Sequence, residues 1–279
     1  MNAISVRALR KRYRDVDAVD GVDLQIDYGE VFAILGPNGA GKTTTVEILS
    51  GHRSRDGGEV LVLDVDPWQA GRKWRRDVGI VLQDAADAGE LTVAETVGHF
   101  ARYYAAARDP HEVIAMVGLT DHARRRVRRL SGGQRRRLDV AVGVVGRPRL
   151  LFLDEPTTGL DPQARLQFWD LIRSLTVDGT TILLTTHYLE EAEALADRVA
   201  IIAAGRVVAE GTPATIGGRD RHVATVSWFD GTTTQQVKTD DPARVVGELS
   251  SSLGGTVPGL TVSRPTLDDV YFDLIGAQS

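Results

Sequence analysis

The chain contains no cysteine, which excludes disulfide staples and thiol chemistry. No uninterrupted apolar run approaches the roughly 18 residues that cross a bilayer, and the opening MNAISVRALRKRYRD has no apolar stretch of signal-peptide length. Any membrane passage is therefore expected to belong to another polypeptide. The histidines His52, His99, His111, His122 and His222 show no paired metal-ligand spacing and read as surface or core residues. A strong excess of either charge is also missing. The formal net charge is −5 over 279 residues, the modest acidity expected of a soluble intracellular domain. That length slightly exceeds what one hydrophobic core usually serves, so a second small unit is expected.

What is present begins with Val31 to Leu35, a buried-strand pattern that runs into GPNGAGKTT and then into a helical pattern from near Lys42. In this strand–loop–helix, Gly36, Pro37, Asn38, Gly39, Ala40 and Gly41 form the turn. Glycines at 36, 39 and 41 lack a side chain that would block a phosphate and allow positive φ, so successive N–H groups can point inward. The helix start adds unpaired donors, Lys42 a full charge for β- and γ-phosphates, Thr43 a hydroxyl for Mg²⁺, and Thr44 continues the cradle. Downstream, LLFLD at Leu150 to Asp154 reads as a strand buried on both faces. It ends in Asp154, placed for a metal shell, and Glu155, placed to polarise an attacking water.

A second anion-binding helix start lies at LSGGQ, where Ser131 offers a hydroxyl, Gly132 and Gly133 bare their N–H groups, and Gln134 follows. One chain is not expected to fold both cradles around the same phosphate. The pairing therefore describes an ATP site completed by a second copy of the chain.

Tyr13, GPNGAGKT, Gln83, LSGGQ, LLFLDEP, GLDP and TTH occur in that order, and together they resemble the motif set of the ATP-binding subunits of ABC transporters over residues 1 to 217. The resemblance implies a catalytic group of Glu155, His187, Gln83 and Lys42. It implies that Tyr13 stacks on adenine, that Gln83 touches Mg²⁺ and water with Thr43 and Asp154, and that His187 contacts the γ-phosphate. Ser131 to Gln134 of one copy close over ATP held by the other, and Asp161 lies in the loop crossing that interface. The cofactors implied are ATP and Mg²⁺. The partners implied are a second copy and an integral membrane permease, with the chain peripheral on the cytoplasmic face.

The expected fold is α/β: a P-loop core with a β-rich N-terminal part, a helical insert at about 84–130, and a small α+β appendix over 218–279 beginning at the Gly217–Gly218 pair. Val97, Phe100, Tyr104, Val113, Met116 and Val117 suit amphipathic helices in the insert, where the family meets its membrane partner. The arginine-rich run Arg124 to Arg137 could suggest nucleic acid, but net charge and position favour a positive field near ATP and a solvated helix face, so no nucleic-acid partner is expected. The tail RPTLDDVYFDLIG is similar to that of drug- and antibiotic-resistance exporter ATPases, implying export of a small hydrophobic compound. Its Leu267, Val270, Tyr271 and Leu274 form one apolar stripe. The alternatives are an importer ATPase, a soluble ABC-type ATPase acting on ribosomes or DNA, which lacks its usual tandem motifs or coiled coil here, and a non-hydrolysing scaffold, disfavoured by Glu155, Gln83 and His187.

Overall fold

The computed structural model describes residues 2–81, 89–221 and 224–276. The chain divides into two compact units, Met1–Val208 and Ala209–Ser279. In the first unit, β1 (Asn2–Tyr13), β2 (Val16–Asp27) and β4 (Gly57–Val62) form an antiparallel sheet in the order β2-β1-β4. Alternating side chains Ile4, Val6, Val22, Leu24 and Ile26 are buried, as expected of a sheet with one face on the core.

The larger sheet contains β3 (Val31–Leu35), β5 (Val78–Val81), β6 (Leu150–Asp154), β7 (Thr181–Thr186), β8 (Arg198–Ala203) and β9 (Arg206–Gly211) in the order β5-β6-β7-β3-β8-β9. From β5 to β8 the pairings are parallel. Every residue of β3, β6 and β7 is buried; these strands read as continuous apolar runs because both faces are covered, Phe32, Ile34, Phe152 and Leu183 packing in one core with α1 and the antiparallel sheet. The helices are α1 (Lys42–Leu49), α2 (Arg72–Asp77), α3 (Val93–Ala101), α4 (Pro110–Met116), α5 (Gly132–Val144), α6 (Pro162–Val177) and α7 (Leu189–Leu195). Within the insert, α3 and α4 appear where the apolar spacing places helices. Thr92 starts α3 with a reciprocal capping box to Glu95, and Asp109 with Pro110 starts α4.

The second unit has β10 (Ala224–Phe229), β11 (Thr234–Thr239) and β12 (Thr261–Ser263) in the antiparallel order β11-β10-β12, with α8 (Pro242–Ser252) and α9 (Leu267–Gly276). Leu267 and Val270 of the expected stripe are buried. The division between units lies ahead of the 217/218 boundary expected from the glycine pair. Gly217 packs on Val270 of α9, whose Cγ1 would stand 2.3 Å from a Cβ at that position, so the segment before the pair belongs with the appendix. Among the described residues no helix is long and apolar enough to cross a membrane.

Candidate functional site

The strand order β6-β7-β3 sets three strand ends side by side. Asp154 pairs with Thr185 and Leu35 with Thr186, so the segments following Leu35, Asp154 and Thr186 emerge on one edge, where open parallel sheets bind ligands.

The loop after β3 is held by two tight glycines for different reasons. Gly41 has φ 103°, and a Cβ there would lie 2.2 Å from the Ala18 carbonyl oxygen. Gly36 needs no positive φ. Its lack of a Cβ is required because Ile202 O would be 2.3 Å away, so it serves close backbone approach instead of the turn conformation expected from the motif. Gly39 adopts φ 81°. Behind the loop, Lys42 is buried and its Nζ donates to Gly36 O at 2.8 Å and Pro37 O at 3.1 Å. Glu155 Oε1 stands 3.7 Å from the same nitrogen. Burial pulls the Lys42 pKa below the usual lysine range, and the carboxylates of Glu155 and Asp154 oppose that shift.

Asp154 is buried and accepts the Thr185 hydroxyl, while the Thr43 hydroxyl lies 3.5 Å from Asp154 Oδ1. Glu155 occupies the left-handed region at φ 45°, which costs a non-glycine residue about 1–2 kcal/mol. The surroundings hold it there. Its N–H donates to Thr185 O at 3.1 Å and Thr185 Oγ1 at 3.0 Å. On either side of it, Arg136 of α5 donates to Asp154 O at 2.5 Å and Pro156 O at 3.1 Å. The strain aims the carboxylate away from the strand: Thr158 Oγ1 donates to Glu155 Oε2 at 3.3 Å, and His187 Nδ1 lies 3.5 Å from that oxygen.

Lys42, Glu155, Thr158 and His187 line one open cavity of about 640 Å³ with Tyr13, Asn38, Thr43 and Thr44, and Asp154 is not among its lining residues. Tyr13 is 37% exposed, with Lys11 Nζ 5.6 Å and the Arg53 guanidinium 5.3 Å from its ring centre. Gln83 lies outside the described residues.

Ser131 to Gln134 and Asp161 line a different cavity of about 410 Å³, together with His122, Arg137 and Leu160. Among the described residues the two cavities share no lining residue. Ser131 caps α5 in a reciprocal box: its Oγ accepts from Gln134 N at 3.3 Å, and Gln134 Oε1 accepts from Ser131 N at 3.1 Å. Asp161 caps α6 by accepting from Ala164 N at 2.8 Å. Beyond the one amide each cap takes up, the first-turn amides of α5 and α6 have no intrahelical acceptor.

The family model described as ABC transporter matches residues 19–158. The daunorubicin resistance ATP-binding protein DrrA3 of Streptomyces coeruleorubidus is 40% identical over 98% of this chain and 96% of its own length. The chain belongs to the ABC transporter family. As an ABC ATPase it binds ATP and couples ATP hydrolysis to transport. The Nod factor export ATP-binding protein I of Burkholderia thailandensis is 44% identical over 76% of this chain and 72% of its own length. Among solved structures, a dimeric ATP-binding cassette in a post-hydrolysis state with ADP and Pi superposes with a TM-score of 0.68 at 26% identity, covering 75% of this chain and 98% of that one. An ATP-binding subunit of an ABC transporter covers 98% of this chain and 99% of its own, with a TM-score of 0.72 at 23% identity, a likeness of fold.

Two residues of this ABC ATPase escape a motif reading. Arg136 belongs to the run read as a solvated helix face, yet it is buried and braces the Glu155 turn. The surrounding mixture of Leu138, Val140 and Ala141 on the same helix was the only signal that one arginine would point inward. Thr185 lies in TTH and reads as strand filler, although it orients both Asp154 and Glu155.

Proposed function

We propose that two copies of this chain enclose two ATP molecules, each held by residues 36–44 of one copy and by Ser131 to Gln134 of the other, and that the cycle drives a separate membrane permease in the outward direction. The observation that carries this reading is the placement of the two anion cradles in separate cavities of one chain. Dimeric solved cassettes of similar fold support it, and so do relatives named for drug resistance and for Nod factor export. The cargo class is then a small hydrophobic compound, and the chain sits peripherally on the cytoplasmic face of the membrane.

In this reading the β- and γ-phosphates replace Glu155 as the counter-charge of Lys42. Lys42 gains fixed negative charge, and Glu155 is released to accept a proton from the attacking water. His187, near Glu155 Oε2, keeps the carboxylate aimed at the γ-phosphate side. Tyr13 supplies an exposed ring for adenine. Thr43 and Asp154 offer a hydroxyl and a carboxylate 3.5 Å apart, a hard-oxygen pair that suits Mg²⁺, which takes few protein ligands beside phosphate and water. When bound, Mg²⁺ would offset charge on the phosphate oxygens. The permease would dock in the groove lined by Trp74, Arg75, Ile80, Phe100, Tyr104 and Val142, whose aromatic walls fit an inserted amphipathic helix.

Sedimentation of the Glu155→Gln protein tests the assembly: Mg-ATP should convert it from monomer to dimer. A protein that stays monomeric under saturating Mg-ATP, with the permease supplied, refutes the reading. Direction is tested by co-expression with the permease, which should lower cellular accumulation of a fluorescent hydrophobic drug; raised accumulation would mean uptake.

A further inference from the structure

The cap of α5 contains one bond whose polarity can be worked out. Gln134 Oε1 accepts from Ser131 N at 3.1 Å, which fixes the amide so that its NH₂ group points the other way. There, Gln134 Nε2 lies 2.8 Å from His122 Nε2. An amide NH₂ only donates, so His122 Nε2 has to accept, and the imidazole carries its proton on Nδ1. His122 belongs to the short turn Thr120–His122 between α4 and α5, and it lines the same cavity as Ser131, Gly132 and Gly133.

We infer that His122 is a positioning residue for the Ser131–Gln134 cradle: by accepting from Gln134 it holds the amide in the orientation that pins the Ser131 backbone and presents the cradle to the nucleotide of the other copy. The inference rests on the two-copy reading. Its chemical content is acceptor capacity at one point. With an acceptor at 122, Gln134 keeps its oxygen on Ser131 N and the reciprocal box stays closed. With an obligate donor there, two donors face each other, and the amide turns its oxygen toward residue 122. Ser131 N then faces an NH₂ group and loses its bond. The Ser131 hydroxyl and the Gly132 and Gly133 amides, left without intrahelical acceptors by helix geometry, are no longer fixed toward the cavity.

Two substitutions separate this role from bulk packing. His122→Gln retains a neutral acceptor, and His122→Lys places an obligate donor of similar reach. Both are made in full-length Glu155→Gln protein, so that nucleotide persists. Three quantities are read: affinity for a fluorescent ATP analogue at the Lys42 cavity, melting temperature, and the ATP-dependent dimerisation constant by sedimentation. The expected result for His122→Lys is unchanged ATP affinity, a melting temperature lowered by only the about 2–4 °C that one lost cap contact costs, and weakened dimerisation. A loss of about fivefold at each half-site, the size of one helix-cap contact, compounds to about twenty-five-fold over the two. His122→Gln should dimerise like the parent. In hydrolysis-competent protein, His122→Lys should raise the ATP concentration for half-maximal turnover more than it lowers the maximum.

The proposal is overturned if His122→Lys dimerises like the parent, if Gln and Lys weaken it equally, or if the Lys42-side affinity falls in step. Failure of the underlying reading looks different: the parent with His122 intact would itself fail to dimerise.

Discussion

Replacing Glu155 by Gln separates its two jobs, charge partner and base. Without nucleotide, Glu155 Oε1 stands 3.7 Å from the buried Lys42 ammonium. At an effective dielectric constant of about 20, such a pair attracts by about 4 kcal/mol before other effects. Lys42 keeps its two carbonyl acceptors, Gly36 and Pro37, so we expect a net loss of about 2 kcal/mol, below the cost of orphaning a buried charge completely. For a unit of this size that corresponds to a fall of about 4–8 °C in melting temperature. Saturating Mg-ATP restores negative charge around Lys42, so the variant should gain more from nucleotide than the wild type does, by about the same amount. Turnover should fall by about 10² to 10⁴, the usual share of a general base, while ATP affinity rises by up to about thirtyfold, the same 2 kcal/mol seen through the binding equilibrium. Phosphate release and thermal melts with and without Mg-ATP measure all three. Wild-type turnover would remove Glu155 from the chemistry, and an unchanged melting temperature without nucleotide would remove it as the counter-charge of Lys42.

Other perturbations have equally definite outcomes. Lys42→Ala should weaken a fluorescent ATP analogue by about tenfold to a hundredfold, the scale of hydrogen bonds to a charged group; unchanged affinity in titration contradicts the cradle. Gly41→Ala meets a left-handed penalty of about 1–2 kcal/mol before any clash with the Ala18 carbonyl is counted, so nucleotide binding should be lost and the melting temperature lowered. A wild-type affinity in that variant would show that the loop is softer than its contacts imply. Asp139 on α5 is raised by burial to about 6, against the pull of Arg136 and Arg135. The folded state therefore holds that proton more tightly than the unfolded chain does. The associated stability is fully present below about pH 4 and is lost as pH rises to about 6. Asp139→Asn escapes the loss, so in urea unfolding it should be about 1–2 kcal/mol more stable than wild type at pH 8, after allowance for the missing attraction to Arg136, and no more stable at pH 4. The opposite sign at pH 8 would contradict the burial argument.

The elements that carry motifs were legible because their patterns are local. The apolar run before GPNGAGKT gives β3, the helix starts at Lys42 as read, and LLFLD gives a strand buried throughout. In the appendix, the apolar stripe of Leu267, Val270, Tyr271 and Leu274 gives α9. Sheet order was not legible, since β3 sits between β7 and β8 through pairings more than 140 residues apart in sequence. Without that order, the meeting of Lys42, Glu155 and His187 could be reached only through resemblance to a family. The same holds for side chains whose partners lie on other elements: Arg136 reads as one more surface arginine until α5 is laid against the turn after β6. His122 shows no ligand spacing and acquires a partner only through Gln134.

Gly36 and Gly41 are confined most tightly by main-chain oxygens of β8 and β2, at 2.3 Å and 2.2 Å from a Cβ, with the nearest side-chain atoms at 3.2 Å and 3.6 Å. A bulky neighbour can be trimmed by a compensating change, but a carbonyl oxygen is identical in all twenty amino acids. A selection for revertants of an alanine at either position should therefore return the original glycine codon, and local second-site suppressors should be rare. Mutational tolerance around this loop is set by where the strands run and cannot be widened by repacking.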